Sequence, residues 1–460
     1  MNRPSLLNVY KMRAAGDLRW PLRQMKFIIH RGTKEIGGNC VEVMAGQTRI
    51  ILDVGLPLDY TDNKFVDPKN DKKPRSHFPS NDPHVPKVPG LFQEGPSVDA
   101  ILVSHAHADH TGLLDYANPD IPVYCTQGTS KMLMAGSIFA KQVKLERKRQ
   151  RNIAPEAPTR IGDFVGTAYS VDHSAFDSVA FLIEADGKRL LYSGDLRLHG
   201  RKTGMIKQLL AGVASKPVDV LIMEGTHFSG QREAGCTEEE LEDRIWGHIR
   251  AVPGLVLANF SPMHVDRLVS FYKAARRAKR TFVVDPYAAF VLRLAAGQCR
   301  VPKPEAQNGI KVYYNEHFER TWQTRNLGKI HAMFLQNRID LETILSKPDG
   351  YVMVCRPSML KYDFRGTFPP CSTWIYSYWE GYLDRPGSEY PNLIARLKET
   401  CGEFVTYHTS GHIFANEIVG LVNAVKPRLV IPIHTTNPGL FSKQFENSLL
   451  PNNGEIIAVN

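Results

Sequence analysis

The sequence is poor in features that would take the chain to a membrane or hold it together covalently. No apolar run among its 460 residues approaches the roughly 18 needed to span a bilayer. The opening stretch MNRPSLLNVYKMRAAGDLRW lacks the apolar core and small-residue cleavage site of a secretory signal. It is only mildly basic and carries Asp17, poor features for a transit peptide. The seven cysteines (Cys40, Cys125, Cys236, Cys299, Cys355, Cys371, Cys401) are scattered and form no C-x-x-C pair. That argues against a disulfide framework and against a cysteine zinc site. Reduced thiols, a cytoplasmic location and no membrane partner are expected. Internal repeats at solenoid periods and low-complexity segments are also missing. Acidic charge is in deficit: 57 Lys and Arg stand against 47 Asp and Glu, a formal charge of +10. This balance favours a polyanionic partner, nucleic acid before anionic lipid or polyphosphate.

The composition, 43% hydrophobic and 23% charged, is that of a globular α/β chain long enough for about two or three domains. In the first half, MKFIIHRG, NCVEVMAG and TRIILDVG read as short strands punctuated by glycine. Residues from Tyr60 to Pro96 are rich in proline, lysine and aspartate without a period, which predicts a long loop of the lid or binding type. VDAILVSH, AYSVDH, SVAFLIEAD, KRLLYSGD and VDVLIMEGTH predict further strands. The middle changes style. TEEELEDRIWGHIRAV has helical spacing and an acidic first turn, and GLVLANFS, HVDRLVSFYKAARRAKR and RTFVVD read as strand, helix, strand. That rhythm predicts a parallel sheet. EFVTYHTSGH, a helix near FANEIVGLVNAV and the strand RLVIPIHTT return to the first style.

The densest chemistry lies in ILVSHAHADHTG, Ile101 to Gly112. Three histidines and an aspartate directly after an apolar run are costly beside a core unless something binds them. His105 and His107 point the same way from an extended strand end, and neutral imidazoles suit zinc. Asp109 and His110 follow in the turn, within reach of a second ion. A binuclear site needs a bridging anion and further ligands. His173 in YSVDHS, Asp195 in LLYSGD and His434 in VIPIHT are candidates, each at the end of a predicted strand. Taken alone, His173 reads more readily as a core histidine and Asp195, after Gly194, as a turn residue.

SHAHADHTG closely resembles the signature of the metallo-β-lactamase superfamily, and the order Asp53, cluster, His173, Asp195 matches its motifs. The resemblance implies an αββα sandwich with two metal ions, Zn2+ or Mn2+, at the sheet edge. It implies that His105, His107 and His173 hold one ion and that Asp109, His110 and His434 hold the other. Asp195 would bridge them, and Asp53 would orient ligands from behind. The flavodiiron relatives carry Glu where His107 stands here, so hydrolysis is expected. About 170 residues separate Asp195 and its following strand from the last ligands. The flanking LIMEGTH and TYHTSGHIFANEIVGLVNAVKPRLVIPIH resemble the β-CASP nuclease subfamily, with EIGGNCVEV and ANFSPMHVDRL closest to ribonuclease J. The implied domains are 1–227 and 403–460 for the sandwich and 228–402 for an inserted β-CASP domain.

The same resemblance implies that His412 contacts the scissile phosphate and that Glu224 holds His412. His408, Ser410, Gly411 and Ser261 become candidate substrate contacts. Their plainer readings are a Ser410–Gly411 turn and a Ser261 cap on a helix starting near Met263. RNA-cleaving members of the subfamily share His at the final motif, here His434, so a two-metal ribonuclease acting on single-stranded RNA is expected. A DNA nuclease of the same subfamily, a small-molecule metallo-hydrolase and a non-catalytic scaffold are the alternatives. The resemblance weakens after His434, where HTTNPGLF replaces a Gly-Glu-Tyr-type segment, and it leaves the oligomeric state open. Met1 to about Gln24 has no counterpart and reads as an arm for a partner. Two basic runs, Lys141–Arg151 and Arg276–Arg280, read as solvated helix faces before backbone-tracking patches. Trp374, Tyr376, Tyr378 and Trp379 read as a strand packing its core rather than as a base-stacking surface.

Overall fold

The computed structural model describes residues 24–58, 84–228 and 235–460. The expected N-terminal arm and most of the long loop after Tyr60 lie outside them. Two compact units emerge: the described residues within Met1–Leu198, Lys202–Ala234 and Gly411–Asn460 form the first, and those within His199–Arg201 and Gly235–Ser410 the second.

The strands of the first unit up to the insertion are β1 (Lys26–Arg31), β2 (Cys40–Ala45), β3 (Thr48–Leu52), β4 (Ala100–Leu102), β5 (Val123–Cys125), β6 (Gln150–Asn152), β7 (Thr159–Ile161), β8 (Phe164–Ser170), β9 (Val179–Ala185), β10 (Lys188–Tyr192) and β11 (Val220–Glu224). The second unit contributes β12 (Val256–Asn259), β13 (Thr281–Val284), β14 (Ile310–Val312), β15 (Tyr351–Val354), β16 (Thr373–Tyr376) and β17 (Glu403–Thr406). The chain then returns to the first unit with β18 (Leu429–Ile433) and β19 (Ile456–Ala458).

Two sheets make the first unit, in the orders β19-β1-β2-β3-β4-β5-β6 and β18-β11-β10-β9-β8-β7. Side chains alternate across a strand, so each sheet offers two apolar faces. Phe27, Ile29, Val41, Val43, Ile50 and Leu52 meet Phe181, Ile183, Leu190, Tyr192, Ile222 and Ile433 in one core between the sheets. The other face of the second sheet (Leu182, Leu191, Leu221, Val430) packs on Leu209 and Val213 of the helix Gly204–Val213 and on Ile418, Leu421 and Val422 of the helix Ala415–Val425. Ile51, Ile101 and Val103 on the far side of the first sheet are covered by Leu91, Leu113 and Leu114. This is the expected α/β sandwich. A one-residue register slip would turn either core face to solvent, so the packing fixes where each strand ends.

The second unit is a six-stranded sheet, β14-β13-β15-β12-β16-β17, in which every neighbouring pair is parallel. Parallel sheets are covered on both faces, which explains why VLAN of β12 and TWIY of β16 are buried at every position. The helix Glu238–Ala251 starts at a capping box, Thr237 with Glu240. This unit runs on to Ser410, beyond the expected boundary at 402, because β17 pairs with β16 as the last strand of its sheet. The run Lys141–Arg151 is a loop leading into β6 rather than a helix face. Its Arg149 is buried and donates to the carbonyls of Ile121 and Leu114, fastening the loop. No helix among the described residues is long and apolar enough to cross a membrane.

Candidate metal centre

Apart from His412, the charged and imidazole groups of the first unit's cluster lie at or just past strands that end at one edge of the sandwich. Asp53 follows β3 and His105–His110 follow β4, and these two strands run parallel. Asp195 follows β10, Glu224 ends β11 and His434 follows β18, three further parallel neighbours. His173 lies three residues past β8. Strand ends converge there as in other α/β sheets, where ligands bind outside the carboxyl ends. The turn carrying the cluster is pinned from Asp53 onward. Asp53 N donates to Leu102 O at 2.9 Å, Val54 N to His110 O at 2.9 Å and Leu56 N to Ala108 O at 3.0 Å. A four-residue helix, Ala108–Thr111, then sets Asp109 and His110 one turn from His107. Asp53 and His434 adopt left-handed backbone conformations, φ 58° and 55°. Such conformations in non-glycine residues persist where the surroundings over-determine them.

The side chains meet around Asp195, which is 1% exposed. Its Oδ2 lies 3.0 Å from His110 Nε2, 3.8 Å from His105 Nε2, 3.9 Å from His173 Nε2, 3.8 Å from His434 Nε2 and 3.7 Å from His412 Nδ1. His173 Nε2 is 3.2 Å from His107 Nδ1, and His434 Nε2 is 3.2 Å from Asp109 Oδ2. Three overlapping donor sets form, His105–His107–His173, Asp109–His110–Asp195–His434 and Asp195–Glu224–His412–His434, each with ligand atoms within 4.8 Å of one another.

Several of these donors are held from behind. Asp53 is fully buried. Its Oδ1 accepts from Ser104 N at 2.7 Å, and its Oδ2 from Ser104 Oγ at 2.7 Å, Tyr192 OH at 2.7 Å and His110 Nδ1 at 2.8 Å. With its Nδ1 proton held by Asp53, His110 would turn a bare Nε2 toward a cation shared with Asp195. His173 Nδ1 donates to Gly411 O at 2.5 Å. Position 411 admits no side chain, since a Cβ there would stand 2.4 Å from Ser174 Oγ. Glu224 Oε2 accepts from His412 Nδ1 at 3.1 Å and from Thr226 Oγ1 at 2.8 Å, while Glu224 Oε1 accepts from Leu196 N at 2.9 Å.

Burial is the main influence on the first donor set. It holds His105 and His173 well below the ordinary imidazole pKa and lowers His107 as well. Burial also disfavours charge on His110, but Asp195 and Asp53 outweigh it and hold its pKa well above the ordinary value. At His412 burial is outweighed by Glu224 and Asp195, and the pKa is pushed up to about 9. Burial would raise both aspartates, yet His434 and His110 hold Asp109 low, and His110, His434 and His412 hold Asp195 low.

These residues fit divalent cations. His105 Nε2 and Asp195 Oδ1 are buried without a hydrogen-bond partner, a costly arrangement that a cation between them would resolve. Neutral imidazoles with a shared carboxylate are the donors zinc-like ions take.

The structure thus gathers Asp53, His105, His107, Asp109, His110, His173, Asp195, Glu224, His412 and His434 in the first unit. Gly411 belongs there too, through its carbonyl. His408, Ser410 and Ser261 belong to the second unit. Ser410 O accepts from His199 Nε2 at 2.9 Å within that unit. Ser261 does not cap the following helix, which starts at Val265 with His264 at the N-cap; its carbonyl accepts from His264 N in the preceding turn. In the basic run at 276–280, Arg277 pairs with Asp243 at 2.6 Å and Arg280 donates to Gly254 O at 2.7 Å. Trp374 and Tyr376 are core residues, whereas Trp379 is 56% exposed. Sequence reasoning missed Ser104, Tyr192 and Thr226. Each sits within three residues of a group it did find, the one signal that could have marked it.

Residues 65–270 match the Beta-lactamase superfamily domain. A ribonuclease J of Mycobacterium tuberculosis is 25% identical over 361 residues, 74% of this chain and 58% of its own length. A ribonuclease J of Helicobacter pylori is 25% identical over 426 residues, 88% of this chain and 55% of its own. The transcription termination factor FttA of Methanothermobacter thermautotrophicus is 24% identical over 285 residues, 56% of this chain and 41% of its own. The chain therefore spans little more than half the length of these ribonuclease J relatives. A crystal structure of a protein of unknown function from Enterococcus faecalis V583 superposes with a TM-score of 0.74 at 23% identity, covering 95% of this chain and 100% of that one. The sandwich, the motif order and these relatives together support reading the chain as a ribonuclease J-like protein with a β-lactamase superfamily domain.

Proposed function

We propose that this protein is a metal-dependent ribonuclease that hydrolyses phosphodiester bonds of single-stranded RNA in the cytoplasm. The observation that carries the reading is Asp195 Oδ2, set within 3.9 Å of five imidazoles in a buried cluster with unsatisfied donor atoms. The reading takes the ions as two Zn2+, with Mn2+ as the alternative. His105, His107 and His173 would hold one and Asp109, His110 and His434 the other, with Asp195 available to both sets. When bound, such a pair supplies Lewis acidity that makes water a nucleophile near neutral pH and offsets charge at phosphorus. His412, held by Glu224, carries the proton that the leaving oxygen needs. Asp53 keeps His110 in its ligating tautomer. The second unit stands as the β-CASP insertion, and its His408, Ser410 and Ser261 remain candidate phosphate contacts. The surplus of 10 positive charges supports a polyanionic substrate.

The test uses one RNA labelled at either end and a DNA of the same sequence, each with a 5′ phosphate or 5′ hydroxyl, with zinc or manganese. RNA cleavage that vanishes in Asp109→Ala and falls about 10²–10⁴-fold in His412→Ala is expected. Mononucleotides from the 5′ end identify an exonuclease, and internal fragments an endonuclease. Cleavage of DNA alone would overturn the choice of RNA. Intact RNA and DNA with both ions bound would overturn the nuclease reading.

A further inference from the structure

Thr226 joins two halves of this site that the ligand sets keep apart. Its Oγ1 lies 2.8 Å from Glu224 Oε2, 2.9 Å from His434 Nδ1 and 3.2 Å from His412 Nδ1. A hydroxyl has one proton and two lone pairs, whereas an ionised carboxylate only accepts. The proton of Thr226 therefore goes to Glu224 Oε2. Its lone pairs then face the two histidines. His412 Nδ1 has Glu224 Oε2 at 3.1 Å and donates there. His434 Nδ1 has Thr226 Oγ1 as its nearest acceptor and donates to it. His434 is thereby fixed with its proton on Nδ1, and its Nε2 is bare toward Asp109 Oδ2 at 3.2 Å. Two lone-pair atoms so close to each other are stable only around a cation or a proton.

We infer that Thr226 is a positioning residue that ties the ligand tautomer of His434 to the Glu224–His412 pair, so that capture of the second cation and the orientation of His412 depend on one hydroxyl. The inference rests on the two-metal reading above. Metal-ligating histidines commonly donate their other N–H to a carboxylate or carbonyl. Here a threonine relays that interaction, so one carboxylate, Glu224, serves His412 directly and His434 through Thr226. Glu224 alone does not reach His434 through any hydrogen bond described here, so the hydroxyl is the link.

The test is zinc binding to the full chain, followed by calorimetry and elemental analysis on wild type, Thr226→Val and Thr226→Ser. Valine keeps the shape and removes the hydroxyl; serine keeps the hydroxyl and removes a methyl. Wild type is expected to bind two equivalents. In Thr226→Val the first should bind as in wild type and the second roughly 10–100-fold more weakly. In Thr226→Ser the second should stay within about threefold of wild type by the same reasoning. Activity gives a second reading: in Thr226→Val, kcat should remain depressed at saturating zinc because His412 has lost part of its support, with KM for RNA unchanged. Equal second-site affinity in wild type and Thr226→Val overturns the inference and leaves the two-metal reading standing. Loss of the second equivalent in Thr226→Ser also overturns it, whatever the folding of Thr226→Val. A wild type that binds fewer than two equivalents overturns the two-metal reading itself.

Discussion

Asp53→Asn separates the work of a carboxylate from the space it fills. In the native chain the buried carboxylate accepts four hydrogen bonds, from Ser104 N, Ser104 Oγ, Tyr192 OH and His110 Nδ1, all at 2.7–2.8 Å. Asparagine can keep its oxygen on Ser104 N, but its NH2 then faces the two hydroxyls and the imidazole. The hydroxyls can rotate and accept. His110 can relieve the clash only by moving its proton to Nε2, the atom 3.0 Å from Asp195 Oδ2. All four charge-assisted bonds, worth about 1.5–3 kcal/mol each, are lost; the amide offers at most three neutral ones worth about 1 each, because its NH2 has two hydrogens for three acceptors, a net loss of roughly 3 kcal/mol or more. The larger signature is in metal binding, because the ligating nitrogen now carries a proton. A loss of about 10–100-fold in affinity is expected at the ion that His110 holds. Calorimetric titration with zinc reads the affinity, and nitrogen chemical shifts of the histidine rings read the tautomer. If Asp53→Asn binds two zinc ions as tightly as wild type while His110 keeps its proton on Nδ1, the reasoning is wrong.

Two further perturbations, one far from the candidate donors and one behind His173, test the charge and packing arguments. Glu42 is buried between His30 at 2.9 Å and Arg49 at 2.6 Å; burial alone would raise its pKa, but these partners bring it to about 2. A depressed carboxylate stabilises the fold above its unfolded pKa of about 4.5, and that stability fades as pH falls toward 2. Denaturant midpoints measured from pH 6 down to pH 3 should drop steeply in wild type and more shallowly in Glu42→Gln, which starts lower; parallel profiles would rule the coupling out. Gly411→Ala places a methyl 2.4 Å from Ser174 Oγ and 3.2 Å from His173 Cε1. It should cost about 1–3 kcal/mol and turn His173 off Gly411 O, reducing metal content at the His105–His107–His173 set; full metal occupancy with unchanged stability would show that the carbonyl does not set this ring.

Much of the fold was legible because its strands are short, apolar and cleanly ended. VAFLIEA and VLIME are buried at nearly every position, and the glycine or acidic residue after each marks its end. The helix Glu238–Ala251 announced itself by its apolar spacing and acidic first turn, signals that are purely local. Lys141–Arg151 misled for the complementary reason. Charge density says nothing about backbone when one arginine of the run, Arg149, is spent on carbonyls 28 and 35 residues away. The ligands could be found because imidazole and carboxylate at strand ends are rare and expensive. The groups that orient them could not. Tyr192 reaches Asp53 across 139 positions and Thr226 reaches His434 across 208, and a lone hydroxyl carries no pattern that distinguishes it from any other.

That asymmetry bears on what holds the edge of the sandwich together. Seven groups converge with their lone pairs toward one another: His173 Nε2 and His107 Nδ1 are 3.2 Å apart, His434 Nε2 and Asp109 Oδ2 also 3.2 Å, while His105 Nε2 and Asp195 Oδ1 have no partner at all. Hydrogen bonds from Asp53, Gly411 and Thr226 fix the far side of these rings, so the rings cannot simply turn away. Without cations the cluster must take up protons or loosen; with them its desolvation is offset. Binding to the native state alone stabilises it by RT ln(1 + [L]/Kd), about 4 kcal/mol at a thousandfold excess over Kd. For a unit of this size that amounts to roughly 8–16 °C in Tm. Chelation should therefore lower the melting transition of the first unit by about that much, and readdition of zinc should restore it. Trp374, buried in the core of the second unit, offers a fluorescence signal for that unit's own transition, which should move far less. A melting profile untouched by chelation in a protein shown to bind two ions would mean that the rings are held by packing alone, and that the cluster is a site the fold tolerates empty.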